Sequence, residues 1–179
     1  NFWLNFFDRK KHLIIPFFNN NPISFFNKHK PNLVIFSGGA NNVFSNKKED
    51  ILRRKIEKKI LYIALKKKIS VIAVCYGFQF IAKTFGGKIK KNSKHAGRSH
   101  KIQILFGKKK YNLDVNSYHN YTVTKLPKEF KIIGVDKRDK SIELAISKKN
   151  KILCTMFHPE RKNKSQKLIN KIIFSHIKR

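Results

Sequence analysis

The sequence predicts an α/β domain of three layers, with helices on both faces of a central, mostly parallel sheet. Two observations carry this. Short β-branched runs at 32–36 and 69–74 alternate with helical patterns at 46–68 and 78–85. Strands separated by helices pair in parallel, because the helix returns the chain to the same end of the sheet. Both runs then end in small residues, Ser37-Gly38-Gly39 and Cys75-Tyr76-Gly77. Sites of such sheets gather at the strands' carboxyl ends.

Taken in order, residues 2–11 read as the end of a helix and 12–16 as a short strand. The buried strand 32–36 feeds the glycine pair. In 46–68, Leu52, Ile56, Ile60 and Ile63 fall near helical spacing with basic residues between them. Asn46 with Glu49 is the expected cap of that helix. The strand 69–74 passes into a helix reaching about residue 85, and Gly86-Gly87 turns the chain. From 88 to 146 the pattern is mostly β, with runs at 102–106, 111–115, 130–135 and 142–146. A further strand is expected at 151–157, and an amphipathic helix at 166–177. There are no internal repeats, and residues 1–179 read as one domain.

At 179 residues with 41% hydrophobic content and 16 Phe, the chain can bury a single core. No apolar stretch reaches the length of a membrane helix. Two cysteines do not make a disulfide framework, which points to a reducing cytoplasm. The net charge of +31 comes from 41 Lys and Arg against 10 Asp and Glu. Taken alone it suggests a phosphate-bearing partner. The basic residues are spread along the chain, however, and no nucleic-acid-binding motif is present. Lys, Asn, Ile and Phe share A- and T-rich codons, so genome composition explains much of the bias. An anionic substrate such as a nucleotide is an alternative, and nucleic acid is a poorer one.

Cys75 follows a buried strand and precedes a helix, with Gly77 relieving the crowding of the turn. This is the logic of a nucleophile elbow with sulfur in place of a hydroxyl. A helix N-terminus beside the sulfur favours thiolate. The alternative is a buried structural cysteine, the expectation for Cys154 in mid-strand. A base is available at a second strand end, where 151–157 runs into His158-Pro159-Glu160. Pro159 stops the ladder, and Glu160 can orient and stabilise the imidazole. Gly38 and Gly39 are either a tight turn or part of an oxyanion site, with the Gly39 and Tyr76 amides as donors. His95 and His100 flank Gly97-Arg98. Lacking acidic or thiol neighbours in the sequence, they are expected to bind no metal. Arg98 is a candidate to meet an anionic part of a substrate.

Residues Ala73-Val74-Cys75-Tyr76-Gly77-Phe78-Gln79, Phe157-His158-Pro159-Glu160 and Ser37-Gly38-Gly39 together resemble the class I glutamine amidotransferase superfamily. That superfamily carries G-[IV]-C-x-G-x-Q, a later H-P-E, and an earlier S-G-G or P-G-G. Ala73 stands where its first elbow glycine is usual. Val115-Asn116-Ser117-Tyr118-His119 resembles the V-N-S-x-H segment of the γ-glutamyl hydrolase branch. Asp50 and Glu57 resemble that branch's R-D-x-x-E stretch, with Glu49 in place of its Arg. Within the branch, the chain resembles the γ-glutamyl-CDP-amidate hydrolases.

The resemblance implies a flavodoxin-like sheet whose N-terminal strand is missing here, since the chain opens at Asn1 directly on a helical pattern. It implies Cys75 as nucleophile, His158 as base and Glu160 as orienting carboxylate. Gln79 is expected to touch substrate, and Ser117, Tyr118 and His119 to line a glutamyl pocket, with His119 equally readable as a satisfied structural histidine. The implied activity is hydrolysis of a small-molecule γ-glutamyl amide through a thioester, without cofactor or metal. A glutaminase subunit passing ammonia to a separate synthase is the rival. An inactive basic binding protein on the same fold is a third reading.

Overall fold

The computed structural model describes residues 2–8, 11–17 and 21–177. Among them, five helices and nine strands follow one another as α1 (Phe2–Phe6), α2 (Pro22–His29), β1 (Leu33–Phe36), α3 (Lys48–Lys66), β2 (Ser70–Val74), α4 (Tyr76–Thr84), β3 (Lys88–Lys91), β4 (His100–Phe106), β5 (Lys109–Val115), β6 (Tyr121–Lys125), β7 (Lys131–Asp136), β8 (Ile142–Ser147), β9 (Ile152–Thr155) and α5 (Gln166–Ile177). A 3-10 turn, Ser93–His95, lies between β3 and β4. The sheet runs β1-β2-β9-β8-β7-β4-β5, with β6 joining β3 to β8.

The sheet is parallel only where β1, β2 and β9 adjoin. Every other pairing among the described residues is antiparallel, which corrects the expectation of a mostly parallel sheet. The cause is loop length. Short turns join β4 to β5, β7 to β8 and β8 to β9, and a parallel crossover needs a dozen residues or more.

Alternation along β2 builds the layers. Val71 and Ala73 pack with Phe78, Ile81 and Leu61 of α4 and α3 on one face. Ile72 and Val74 pack with Ile169, Ile172 and Ile173 of α5 on the other. Helix α4 is buried from Tyr76 to Ala82 because it crosses the sheet at its centre. α1 leans on α5 through stacked Phe6 and Phe174 rings 5.6 Å apart.

Two further expectations are corrected, and one helix is added. Residues 12–16 form no strand; they run beside β1 and line a cavity of about 900 Å³ with α2 and α3. Helix α2 is absent from the sequence reading, although Pro22 occupies its first turn and Asn21 Oδ1 accepts the Ser24 amide at 3.1 Å. The Asn46–Glu49 cap does not form. Lys47 precedes α3 without a capping side chain, while Asp50 accepts hydrogen bonds from Ser45 Oγ and Asn41 Nδ2. Among the described residues no strand precedes β1, which lies at one edge of the sheet.

Candidate active site

Three parallel strand ends deliver the candidate residues to one edge. The β2–β9 ladder continues past Val74 until the Cys75 amide donates to Thr155 O at 2.8 Å. Cys75 is therefore held opposite the end of β9, and His158 follows three residues later. The chain must turn abruptly at Cys75 to start α4, and it does so with φ 53° and ψ −106°. Such a backbone costs on the order of 1–3 kcal/mol and persists only where its surroundings enforce it. Thr155 O supplies one restraint, and the Gln79 amide, donating to Cys75 O at 3.0 Å, supplies another. Gly77 is obligatory, because a Cβ there would collide with Phe36 O of β1.

His158 is fixed from both sides. Its Nδ1 lies 2.7 Å from Glu160 Oε1, and both side chains are buried. With that carboxylate accepting, Nδ1 carries the hydrogen and Nε2 is left as the base. Asn116 clamps the main chain: its Oδ1 accepts the His158 amide and its Nδ2 donates to His158 O, each at 2.9 Å. Asn163 Nδ2 donates to the same carbonyl at 3.0 Å, and Asn163 Oδ1 accepts the Asn116 amide at 2.9 Å. Tyr118, half-exposed, stands edge-on to the imidazole at 5.5 Å, with the Arg161 guanidinium over its own ring. Sequence reasoning misses the roles of Asn116 and Asn163. Asn116 lies in the Val115–His119 motif, but nothing local shows that its side chain faces His158.

The β1 end closes the site. A Cβ on Gly38 would stand 2.6 Å from His158 Cε1 and 3.3 Å from Nε2, so only glycine lets the ring sit there. A Cβ on Gly39 would stand 2.5 Å from Arg53 Nη1. Arg53 stacks on the Tyr76 ring at 3.9 Å, donates to Ser37 O at 2.9 Å and pairs with Glu57 at 2.8 Å. The residue coupled to Glu57 is thus Arg53, one turn earlier, whereas Asp50 belongs with the loop before α3 through its hydrogen bonds. Gln79 is buried, and its Oε1 accepts the Val43 amide at 3.4 Å, tying α4 to the segment after Gly39.

Electrostatics revise one expectation. Burial pushes the Cys75 thiol up to about 11; the Tyr76 amide pulls it back, while the negative charges of Glu160 and Glu143 add to the rise. Desolvation is the largest influence, so burial opposes the thiolate that the helix N-terminus favours. Cys154 lies fully buried in β9 and its thiol is raised well above the usual range, consistent with core packing. Both cysteines are free.

Ser117 is buried with its Oγ unpartnered. His119, open to a pocket or a structural reading, lies buried beside His95, with ring centroids 4.9 Å apart, and Nδ1 donates to Tyr121 O at 3.0 Å. Burial, with His95 and His100 nearby, lowers its pKa to about 3. Arg98 is exposed. Among the described residues, His95, His100 and Glu143 form a buried group able to hold a metal ion. No local pattern signals this group, because Glu143 comes from β8.

A buried cysteine on a strained strand-to-helix turn, beside a histidine–carboxylate pair and glycine-rich backbone, can perform acyl transfer. Comparison with known proteins shows the family to which this fold belongs. The family profile Glutamine amidotransferase class-I matches residues 11–176. A γ-glutamyl-CDP-amidate hydrolase of Campylobacter jejuni is 34% identical over 142 residues, covering 76% of this chain and 66% of that protein. A GMP synthase [glutamine-hydrolyzing] of Wolbachia pipientis wMel is 31% identical over 168 residues, 88% of this chain but 32% of that protein. The chain thus spans about two thirds of the first relative and about one third of the second. In fold it is similar to a glutamine amidotransferase of Thermotoga maritima, with TM-score 0.61, 19% identity, and coverage of 82% of this chain and 64% of that one. On the profile match and the shared architecture, the chain belongs to the class I glutamine amidotransferase family.

Proposed function

We propose that this chain hydrolyses a γ-glutamyl amide bond through a γ-glutamyl thioester on Cys75. The observation that carries the reading is the placement of Cys75 and the His158–Glu160 pair, 2.7 Å apart, at the ends of the adjacent parallel strands β2 and β9. His158 Nε2 takes the Cys75 proton as Sγ attacks the γ-carbonyl carbon. The Gly39 and Tyr76 amides hold the oxyanion. The C–N bond breaks as His158 protonates the departing nitrogen. Water, deprotonated by His158, then cleaves the thioester and releases glutamate and the free thiol. Glu160 keeps the imidazole in the required tautomer. The resting thiol confines thiolate to the substrate-bound state.

The relative from Campylobacter jejuni supports a nucleotide amidate as substrate class, and the net charge of +31 suits a phosphate-bearing leaving group. The GMP synthase relatives support a second reading, a glutaminase that passes ammonia to a separate synthase. Among the described residues no helix is long and apolar enough to cross a membrane. With two free thiols, the cytoplasm is the proposed compartment.

Glutamate release from glutamine, a γ-glutamyl anilide and a γ-glutamyl nucleotide amidate, at two salt concentrations, tests the reading with Cys75→Ser as control. The expected result is preference for the amidate, loss of turnover in the variant, and kcat/KM that falls with salt. Glutamine as best substrate, accelerated by an added synthase, selects the second reading. Salt-sensitive binding without thiol-dependent turnover selects an inactive binding protein.

A further inference from the structure

Away from Cys75, three histidines from three segments converge on Glu143, with Asp136 Oδ2 also 3.6 Å from His100 Nε2 and 3.8 Å from His95 Nδ1. His95 ends the 3-10 turn, His100 opens β4, His119 lies between β5 and β6, and Glu143 is on β8. All four are buried, at 1%, 5%, 3% and 0% exposure. His100 Nε2 lies 3.5 Å from Glu143 Oε2; His95 Nδ1 and His119 Nε2 lie 3.7 and 3.6 Å from Oε1. These separations are too long for good hydrogen bonds. Both Glu143 oxygens, His95 Nδ1, both His100 nitrogens and His119 Nε2 have no hydrogen-bond partner. Each orphaned buried polar atom costs about 1–3 kcal/mol, so such a concentration calls for one common partner.

The outward contacts say what kind. His119 Nδ1 faces the Tyr121 carbonyl, which can only accept, so Nδ1 carries the hydrogen and Nε2 presents a lone pair. His95 Nε2 faces Asp139 Oδ2 at 2.8 Å, which leaves Nδ1 presenting one too. Two lone pairs therefore point at the one oxygen Glu143 Oε1, where a proton could serve only one of them and a cation serves both. An ion with bonds of about 2.0–2.2 Å sets tetrahedral ligand separations of roughly 3.3–3.6 Å, close to the 3.5 and 3.7 Å from His100 Nε2 and His95 Nδ1 to Glu143. Asp139 stands where the outer partner of a metal-bound imidazole stands. Asp136 is already engaged by Arg138, at 3.2 Å on one oxygen and 2.9 Å on the other.

We propose that His95 Nδ1, His100 Nε2 and Glu143 bind one divalent transition-metal ion, with zinc the best match to imidazole and carboxylate ligands and His119 packed beside the site. This departs from the expectation of no metal: the acidic ligand absent near His95 and His100 in sequence arrives from β8. The burial of all three ligands suits a structural ion. It would pin the β3–β8 excursion to the catalytic edge, because Glu143 O accepts the Met156 amide at 2.9 Å, two residues before His158. The inference does not depend on the substrate assigned above.

The test is metal analysis of the purified full chain, followed by titration of metal-stripped protein with Zn²⁺ and with Co²⁺. Expected are one ion per chain, visible Co²⁺ bands of tetrahedral nitrogen–oxygen ligation, and a higher melting temperature with Zn²⁺. Cys75→Ser should keep the ion. His100→Ala and Glu143→Gln should lose it, and Asp139→Asn should weaken it about 10–100-fold. Should the ligand variants fail to fold, the wild-type titrations decide alone. Stripped wild-type protein that binds neither ion at micromolar concentration, with unchanged melting, would overturn the proposal in favour of a protonated Glu143 among neutral imidazoles.

Discussion

Replacing Asn116 by alanine separates the positioning of His158 from its chemistry. The substitution removes the acceptor of the His158 amide and one of three donors to its carbonyl, each now at 2.9 Å. The carbonyl retains Asn163 Nδ2 at 3.0 Å and the Arg161 amide at 3.2 Å, but the His158 amide has no second acceptor among the described residues. One orphaned buried N–H costs about 1–3 kcal/mol. Loss of the buried amide side chain adds roughly 1 kcal/mol. For a domain of this size, a total of about 2–4 kcal/mol lowers the melting temperature by roughly 4–16 °C. The kinetic effect has a different origin. His158 sits on a strand terminus closed by Pro159, and without the clamp its ring moves relative to Cys75. A misplacement of about 1 Å costs on the order of 10²-fold in turnover. Melting by calorimetry and glutamate release from a γ-glutamyl anilide, measured below the new midpoint, check the two parts. A variant that melts with the wild type and turns over within about twofold of it would refute the reasoning.

Other outcomes follow from neighbouring contacts. Gly38→Ala places a methyl against His158 Cε1 and should reduce turnover at least about tenfold with a small change in melting, read by the same pair of assays. His158→Ala should cost about 10³-fold or more, and Glu160→Gln less, because Glu160 only orients and stabilises the imidazolium. A silent His158→Ala would break the pairing with Cys75. Because burial raises the Cys75 thiol to about 11, the thiol stays protonated at all lower pH. Alkylation of the free chain by iodoacetamide should therefore be slow at neutral pH and rise about tenfold per pH unit toward pH 11. A plateau near neutrality would show that the helix terminus outweighs desolvation.

What can be read from the sequence follows the range of the forces involved. Local patterns carry α5 at Gln166–Ile177 and the β2-to-α4 turn, since periodicity and Gly77 are chain-neighbour properties. Residues 12–16 have apolar side chains suited to a strand, yet a strand needs a partner, and β1 does not pair with them. Parallel character is overestimated because alternating helices and strands in the first half say nothing of the hairpins after β3. At the site, Cys75, His158 and Glu160 are visible through their turn and proline contexts. Arg53 over Tyr76, the Asn116–Asn163 clamp and Glu143 among the histidines are not, since each joins segments far apart in the chain. The resting thiol escapes a local reading for the same reason: a helix N-terminus is visible locally, whereas burial is set by the whole fold.

The central claim is that Cys75 carries the γ-glutamyl group. Intact-mass and peptide mass spectrometry after brief exposure to a glutamine analogue bearing an electrophile at its γ-carbon tests it most directly. One adduct per chain, located on Cys75, absent from Cys75→Ser and undiminished in Cys154→Ser, is the predicted result. An adduct on Cys154, or none on a chain that still releases glutamate, would contradict it.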